Sequence, residues 1–228
     1  MRMITVLSTM ALQGAMRALA PELEASGFHC EAEFSPTLRL IERIRAGERA
    51  DVAILTAEAI DALIGEGVLD ERTDLARSFV GVAVKAGSPH PEIGDTAAFV
   101  AALRAANRVA MSQAGASGVF MAGLLERLGI ADEIRAKATI LSSGYTASLL
   151  ASGAVDLAIQ QVSELMVVDG VEIVGRLPAE LGGDSVFSAG TFIGASNAAQ
   201  GGQLIAALSD PSRAPLYRRC GLEPMGSV

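Results

Sequence analysis

Five segments of this chain place hydroxyl groups where an apolar run gives way to a helical pattern: Ser8-Thr9, Ser35-Pro36-Thr37, Thr56, Ser112 to Gly118, and Ser142-Ser143-Gly144-Tyr145-Thr146. Ser and Thr are favoured N-caps, because their oxygen accepts an orphaned N–H of the first helical turn, and that accounts for any one of these segments. Repetition suggests a second chemistry. Hydroxyl donors, first-turn N–H groups and the positive ends of helix dipoles together suit a small, fully ionised anion, an acceptor-only guest that needs donors but no formal positive charge. Gly115, Gly118 and Gly144 serve the same end, since a missing Cβ lets backbone amides approach closely and tolerates positive φ. The candidate ligand-binding residues here are Ser8, Thr9, Ser35, Thr37, Thr56, Ser112, Ser117, Gly118, Ser143 and Gly144.

Two amides, Gln160 and Gln161, stand directly after an apolar strand end. They either orient a carboxylate or other oxyanion, or tie the loop to its neighbours. Glu164, three residues on, lies near the expected site, and it also fits a first-turn carboxylate favoured by the helix dipole. Other chemistries lack their signatures. The GASG at Gly115 to Gly118 is neither a Walker loop nor a complete GxGxxG, so nucleotide binding is not expected. No GxSxG elbow or HExxH is present, and the two histidines, His29 in a strand and His90 in a turn, fall away from the candidate loops. Cys30 and Cys220 form no CxxC pair and read as core thiols, and no metal or cofactor is called for.

The elements that must position these groups alternate from the first residues. Met3 to Leu7 reads as a buried strand; Leu12, Met16, Leu19 and Leu23 then mark one face of a helix that stops near Gly27. Phe28 to Phe34 is a second strand, followed by a helix with Leu38, Ile41 and Ile44 inward; Asp51 to Leu55 is a third strand and Ala57 to Gly65 a third helix. This βαβαβ order implies a parallel sheet with helices on its faces. Strand Phe79 to Lys85 runs into the connector AGSPHPEIGD, and the pattern starts again: helix 96–106, strand 108–111, helix 117–128, strand 138–141, helix 145–151, strand 156–159. Strands at 171–174 and 185–193 and helical pieces near 202–208 and 211–219 finish the chain. A single doubly wound sheet accounts for this order. So do two lobes with a ligand cleft between them, where strand ends open into loops.

Composition narrows the partners. With 50% apolar residues the chain can bury a sizeable core, and 4% aromatic content without Trp makes that core one of small aliphatic side chains. A net charge of −8 with no basic run repels phosphate backbones, so nucleic acid is not expected as a partner. No stretch reaches the roughly 18 apolar residues of a membrane span. Arg2 precedes only a short, interrupted apolar run with no small-residue cleavage site, which predicts a cytoplasmic protein, or a periplasmic one if the N-terminus has been trimmed.

The segments ITVLSTMALQGAMRALAPELE, SPTLRLIERIRAGERADVAIL, FVGVAVKAG and GYTASLLASGAVDLAIQQVSEL resemble the type II solute-binding proteins of the molybdate-binding group, over almost the whole chain. The resemblance implies two α/β lobes, residues 1–82 with 190–228 and residues 83–189, with a hinge of two strands near Val80 to Lys85 and Ser188 to Thr191. It implies oxyanion contacts at Ser8 or Thr9, Ser35 or Thr37, Ser117 and Gly118, and it puts Gln161 where that group carries a Tyr. AIQQVSEL, GVEIVGRLPAELG and VFSAG are more similar to the branch that includes aconitate isomerase. That branch implies a cofactor-independent isomerase that shifts a double bond in a tricarboxylate, with Glu164 and Tyr145 as candidate proton carriers and Arg39 or Lys85 as carboxylate clamps. The alternatives are a transporter's binding component, which meets a permease only if exported, and a cytoplasmic anion sensor.

Overall fold

Residues 3–225 are described by the computed structural model; Met1 and Arg2, part of the stretch read for an export signal, lie outside them, as do residues 226–228. The first series is β1 (Ile4–Thr9), α1 (Gln13–Ala25), β2 (Cys30–Ser35), α2 (Thr37–Arg45), β3 (Val52–Thr56) and α3 (Ala57–Gly65). After β4 (Thr73–Lys85) comes a second series: α4 (Thr96–Ala105), β5 (Val109–Ser112), α5 (Ala116–Arg127), α6 (Ala131–Arg135), β6 (Ala138–Leu141), α7 (Ala147–Ala151), β7 (Leu157–Gln161) and α8 (Val162–Leu165). β8 (Val171–Arg176), β9 (Asp184–Thr191), α9 (Ala198–Ser209), α10 (Ala214–Arg219) and β10 (Glu223–Pro224) complete it. The sequence pattern misses α6, which at five residues is too short to show a helical period, and gives no range for the four-residue α8, although one reading of Glu164, as a first-turn carboxylate, places a helix start there.

The chain forms two units: residues up to Ser78 together with those from Ser185 onward, and Phe79–Asp184. In the first, β1 lies between β2 and β3, both parallel to it, and β9 adds antiparallel to β3. In the second, β5 lies between β6 and β7, again parallel, while β4 runs antiparallel to β7 and β8. Both therefore share one strand order, second–first–third. Such an order creates a switch point between the first and third strands, where adjacent connections depart to opposite faces and leave a crevice at the strand ends.

Each unit has its own core. Strand residues alternate faces, so in the second unit Val109 and Met111 join Val82, Phe99, Leu103 and Leu124, while Ala110 joins Ala83, Ala158, Ala147 and Leu150 on the other side. The alanine-lined face lets helices sit close to the sheet. In the first unit Leu7, Ala53 and Leu55 pack with Leu40, Ile44, Ile60, Leu63 and Phe192. Here the inward stripe of α2 is Thr37, Leu40 and Ile44, with Ile41 part-buried against the same core as expected, and Leu38 is 41% exposed, because the helix opens on Thr37 as its first inward position and 40 and 44 follow at helical spacing. The cysteines are free and half-buried, not core thiols: Cys30 opens the edge strand β2, and Cys220 follows the short surface helix α10.

Asp51 ties the first unit together. Its carboxylate accepts from Thr5 N (2.9 Å) and Oγ1 (3.0 Å) in β1 and from Asn197 N and Nδ2 (both 3.1 Å), just ahead of α9. This one side chain joins segments 146 residues apart. Burial pushes its carboxyl up, yet these hydrogen bonds together hold it below the ordinary Asp range.

Candidate functional site

In the first unit the hydroxyl-bearing loops stand at one edge of the sheet. Thr9 is in register with Ser35, and Ser8 with Ile54, two residues before Thr56. Thr9 and Thr37 are buried with their hydroxyl oxygens 3.1 Å apart, and buried Ser8 donates to the Thr9 carbonyl at 3.1 Å. Ser35 and Thr56 are part-exposed at the same edge. The ordinary explanation for these residues was capping, and it fails. Thr9 heads the 3-10 turn Met10–Leu12, Pro36 heads α2 and Thr56 heads α3, and none of the three starts takes a side-chain cap. The switch point between β1 and β3 is thus ringed by hydroxyls and helix starts without a side-chain acceptor.

The second unit repeats the arrangement. Ser112 ends β5 in register with Leu141 of β6, and Met111 with Ile159 of β7, so the loops after all three strands share an edge. Ser112 Oγ accepts from Gly115 N at 3.1 Å, which folds the loop back before α5 begins. Ser117 is 1% exposed, and among the described residues its hydroxyl has no hydrogen-bond partner. A buried hydroxyl left in that state carries a desolvation cost of about 1–3 kcal/mol, which a guest acceptor would relieve. Gly118 has a different role from the one expected: its N–H is already bonded to the Gly115 carbonyl at 3.0 Å, and a Cβ there would sit 2.2 Å from the Ser112 carbonyl oxygen. Close approach of helix to loop is what the position demands. Of the loop glycines, only Gly144 has positive φ, at +92°; Gly115, at −80°, opens α5 in extended backbone, and Gly118 is helical.

The next loop is anchored from beneath. Ser143 is exposed and Gly144 and Tyr145 are part-exposed, whereas Thr146 is fully buried. Gln160 Oε1 accepts from Thr146 N (2.8 Å) and Oγ1 (3.0 Å), and its Nε2 donates to the Gly144 carbonyl (3.2 Å). Gln160 and Gln161 are the last residues of β7 itself, not of the loop beyond it, and both are buried. Of the two readings of the amides, Gln160 follows the second: it ties the loop to its strand. Thr146 belongs to the fifth hydroxyl segment, but its tie to Gln160 could not be read there, since the partner lies across a helix and a turn. At the start of α8 the Glu164 carboxylate accepts the Gln161 N–H at 3.3 Å, the backward half of a capping box. Glu164 is 4% exposed; burial drives its carboxyl up to about 8, against opposing hydrogen bonds from Gln161 N–H and the Gln160 side chain.

The two expected cationic clamps differ in place: Arg39 lies in the first turn of α2, two residues past Thr37, and Lys85 lies away from the loops of the second unit. Arg39 is exposed and paired with Glu42 at 3.1 Å. Lys85 lies at the opposite end of β7: Val80 is in register with Gln161 and Ala83 with Ala158, which puts Lys85 some five residues, or about 16 Å, along the strand from the Gln161 end. It lines a separate cavity with Pro89, Ala106 and Asp156. His90 pairs with Glu172 at 3.0 Å on the surface.

A family model for bacterial extracellular solute-binding proteins matches residues 4–223. An aconitate isomerase from a Pseudomonas species is 30% identical over 97% of this chain and 88% of its own length. Among solved structures, the periplasmic molybdate-binding protein of Azotobacter vinelandii superposes with a TM-score of 0.80 at 20% identity, covering 96% of this chain and 98% of that one. The sulfate-binding protein of Mycobacterium tuberculosis gives 0.74 at 13% identity, over 100% and 88%. These structures share the fold.

Proposed function

We propose, from the premise that this chain belongs to the family of bacterial extracellular solute-binding proteins, that it binds a small anion and acts on it as a cofactor-independent isomerase of unsaturated polycarboxylates. The observation that carries the anion reading is the pair of switch points furnished with hydroxyls and uncapped helix starts, Thr9, Ser35, Thr37 and Thr56 in one unit, with Ser8 beside them donating to the Thr9 carbonyl, and Ser112, Ser117, Ser143 and Gly144 in the other. Donors of this kind bind negative charge by dipole and hydrogen bond, which a protein of net charge −8 needs if it is to do so without a cation cluster. Relatives named for molybdate and sulfate support the ligand class, and the 30%-identical aconitate isomerase supports a carboxylate and a reaction.

The chemistry is a proton shift. A base removes a proton from the carbon next to the double bond, the electron pair forms the new double bond, and the old one opens to take a proton at its far carbon, with no net redox change. Glu164 and Tyr145 are the proposed proton carriers. A carboxyl held near 8 is mostly protonated at neutral pH and loses that proton readily, as an acid–base catalyst must.

The second reading, a transporter's binding component, draws on the family's description and on the molybdate- and sulfate-binding structures. Thermal melting against molybdate, sulfate, citrate and cis- and trans-aconitate separates the two, because a ligand at 100 times its dissociation constant adds about 2.7 kcal/mol. The isomerase reading expects an aconitate to raise the midpoint and proton NMR to show the double bond moving. Stabilisation by molybdate alone, with no change in either acid, would reject it, and recovery of the protein outside the inner membrane would then favour transport.

A further inference from the structure

The end of the second unit away from the hydroxyl loops holds a cavity of about 460 Å³, within the range of small-molecule sites. Its walls come from the last residues of β4, the connector beyond it, the C-terminal end of α4 and the turn from α7 into β7. Val84, Ala102 and Leu157 carry the second core out to the cavity surface, and Pro89 and Pro91 add rigid apolar rings. Glu172 holds the connector in place: it accepts from Gly87 N at 3.1 Å and pairs with His90, between the two prolines, at 3.0 Å.

Two opposite charges line this cavity without meeting. β4 and β7 are antiparallel with Ala83 opposite Ala158, and the same register carried two residues further sets Lys85 opposite Asp156, on one face of the sheet. Cross-strand neighbours of opposite charge ordinarily pair. Here Asp156 Oδ2 accepts instead from Asn107 N at 2.7 Å and Arg108 N at 3.0 Å, which turns the carboxylate toward the start of β5. The Lys85 ammonium stands over Gly153, 3.8 Å from where a Cβ would be. Other cations of the neighbourhood are already engaged. Lys137 donates to the carbonyls of Arg104 and Ala106 at 2.7 Å each, and Arg108 to that of Ala154 at 3.3 Å. Among the described residues, the Lys85 ammonium and Asp156 Oδ1 make no hydrogen bond or ion pair.

We propose that this cavity is a second binding site, for a free α-amino acid with a short apolar side chain. A lone anion there would meet Asp156, and a lone cation Lys85. A zwitterion satisfies both: its carboxylate accepts from Lys85 Nζ, its ammonium donates to Asp156 Oδ1, and each contact is a charge-assisted hydrogen bond. One carbon separates the two charged groups of an α-amino acid, which leaves its side chain to the wall of Val84, Pro89 and Leu157, where apolar surface is removed from water. Lying at the far end of β7 from Gln161, the site shares no residue with the anion loops and does not depend on them.

The test is 15N NMR of the full chain titrated with L-valine, and in parallel with L-valinamide, which lacks the carboxylate, and N-acetyl-L-valine, which lacks the ammonium. L-Valine is expected to shift the backbone amides of Lys85, Ser88, Gly153 and Asp156 along one saturable curve, with half-saturation on the order of 1 mM. Both analogues should bind about tenfold more weakly, as loss of one charge-assisted bond implies. Lys85→Gln and Asp156→Asn should each weaken L-valine to the same degree. Both variants are expected to fold, since Lys85 is exposed and the amide introduced at position 156 keeps an oxygen for the Asn107 and Arg108 N–H groups. Either analogue binding as tightly as L-valine would overturn the proposal, because one charge alone would then account for the contact. So would shifts that survive both substitutions, or no saturable shift up to about 20 mM. Shifts confined to the Ser112–Gly118 loop would also overturn it, and would leave the anion reading to the melting experiment.

Discussion

A buried hydroxyl without a partner is a weakness in folding and an asset in binding, and Ser117 shows both sides. Replacing it with Ala removes an oxygen that the free protein has desolvated for nothing, so Ser117→Ala is expected to leave the melting temperature unchanged or to stabilise by up to about 1 kcal/mol. If Ser117 donates to the anion, the same variant should lose ligand-induced stabilisation in the melts. A drop in both would mark Ser117 as merely structural. Asp51 is the opposite case, with all its acceptor capacity spent on the fold. Its folded-state pKa lies below the unfolded value, so its contribution is fully present above the unfolded carboxyl pKa, near 3.9, and is lost as pH falls through the lower folded one. Asp51→Ala strands several buried donors and should cost about 3 kcal/mol at neutral pH in denaturant titrations. Relative to wild type, the variant's deficit should shrink as the pH is taken down through that acid range; a deficit that stays constant would show that the ionised carboxylate is not what stabilises.

At the scale of elements, α5 shows how a glycine's meaning depends on its surroundings. Gly118→Ala drives a Cβ into the backbone of Ser112, which no side-chain rotation relieves, and should destabilise by about 2–3 kcal/mol while displacing the Ser112 loop. Gly123→Ala, one and a half turns on and exposed, meets nothing nearer than the Arg127 guanidinium at 3.8 Å and should stabilise by up to about 1 kcal/mol through helix propensity. Equal effects in chemical denaturation would contradict this account of the loop. What the sequence made legible follows the same division. Strand-to-helix alternation is written in local periodicity, so every strand of both parallel series was readable, and the hydroxyl loops with them. Three things depended on non-local partners. Thr73–Ser78 carries Asp74 and Arg77 and looks like loop until β10 pairs with it; the inward face of α2 rests on a threonine; and the function of Gln160 becomes visible only when Thr146, fourteen residues earlier, is seen against it.

For the molecule as a whole, the two units differ in how the chain builds them. The second is one continuous stretch, Phe79–Asp184, whose strands pair with one another and whose two apolar clusters are drawn from that stretch alone. At about a hundred residues it is large enough to fold by itself. The first unit has no such independence. β3 is completed by β9, from Val52 with Thr191 to Thr56 with Phe187; Phe192 sits in its core; and Asp51 is satisfied by Asn197, all supplied from beyond Ser185. A chain cut after residue 184 would expose the edge of β3 and leave Asp51 with half its partners. We therefore expect residues 79–184 expressed alone to give a dispersed 15N correlation spectrum and a cooperative melt, and residues 1–78 alone to remain unfolded until residues 185–228 are supplied. A collapsed spectrum for 79–184 would mean that the second core needs support from the remainder of the chain. A folded 1–78 fragment would mean that β9 and Asn197 decorate the first unit without completing it.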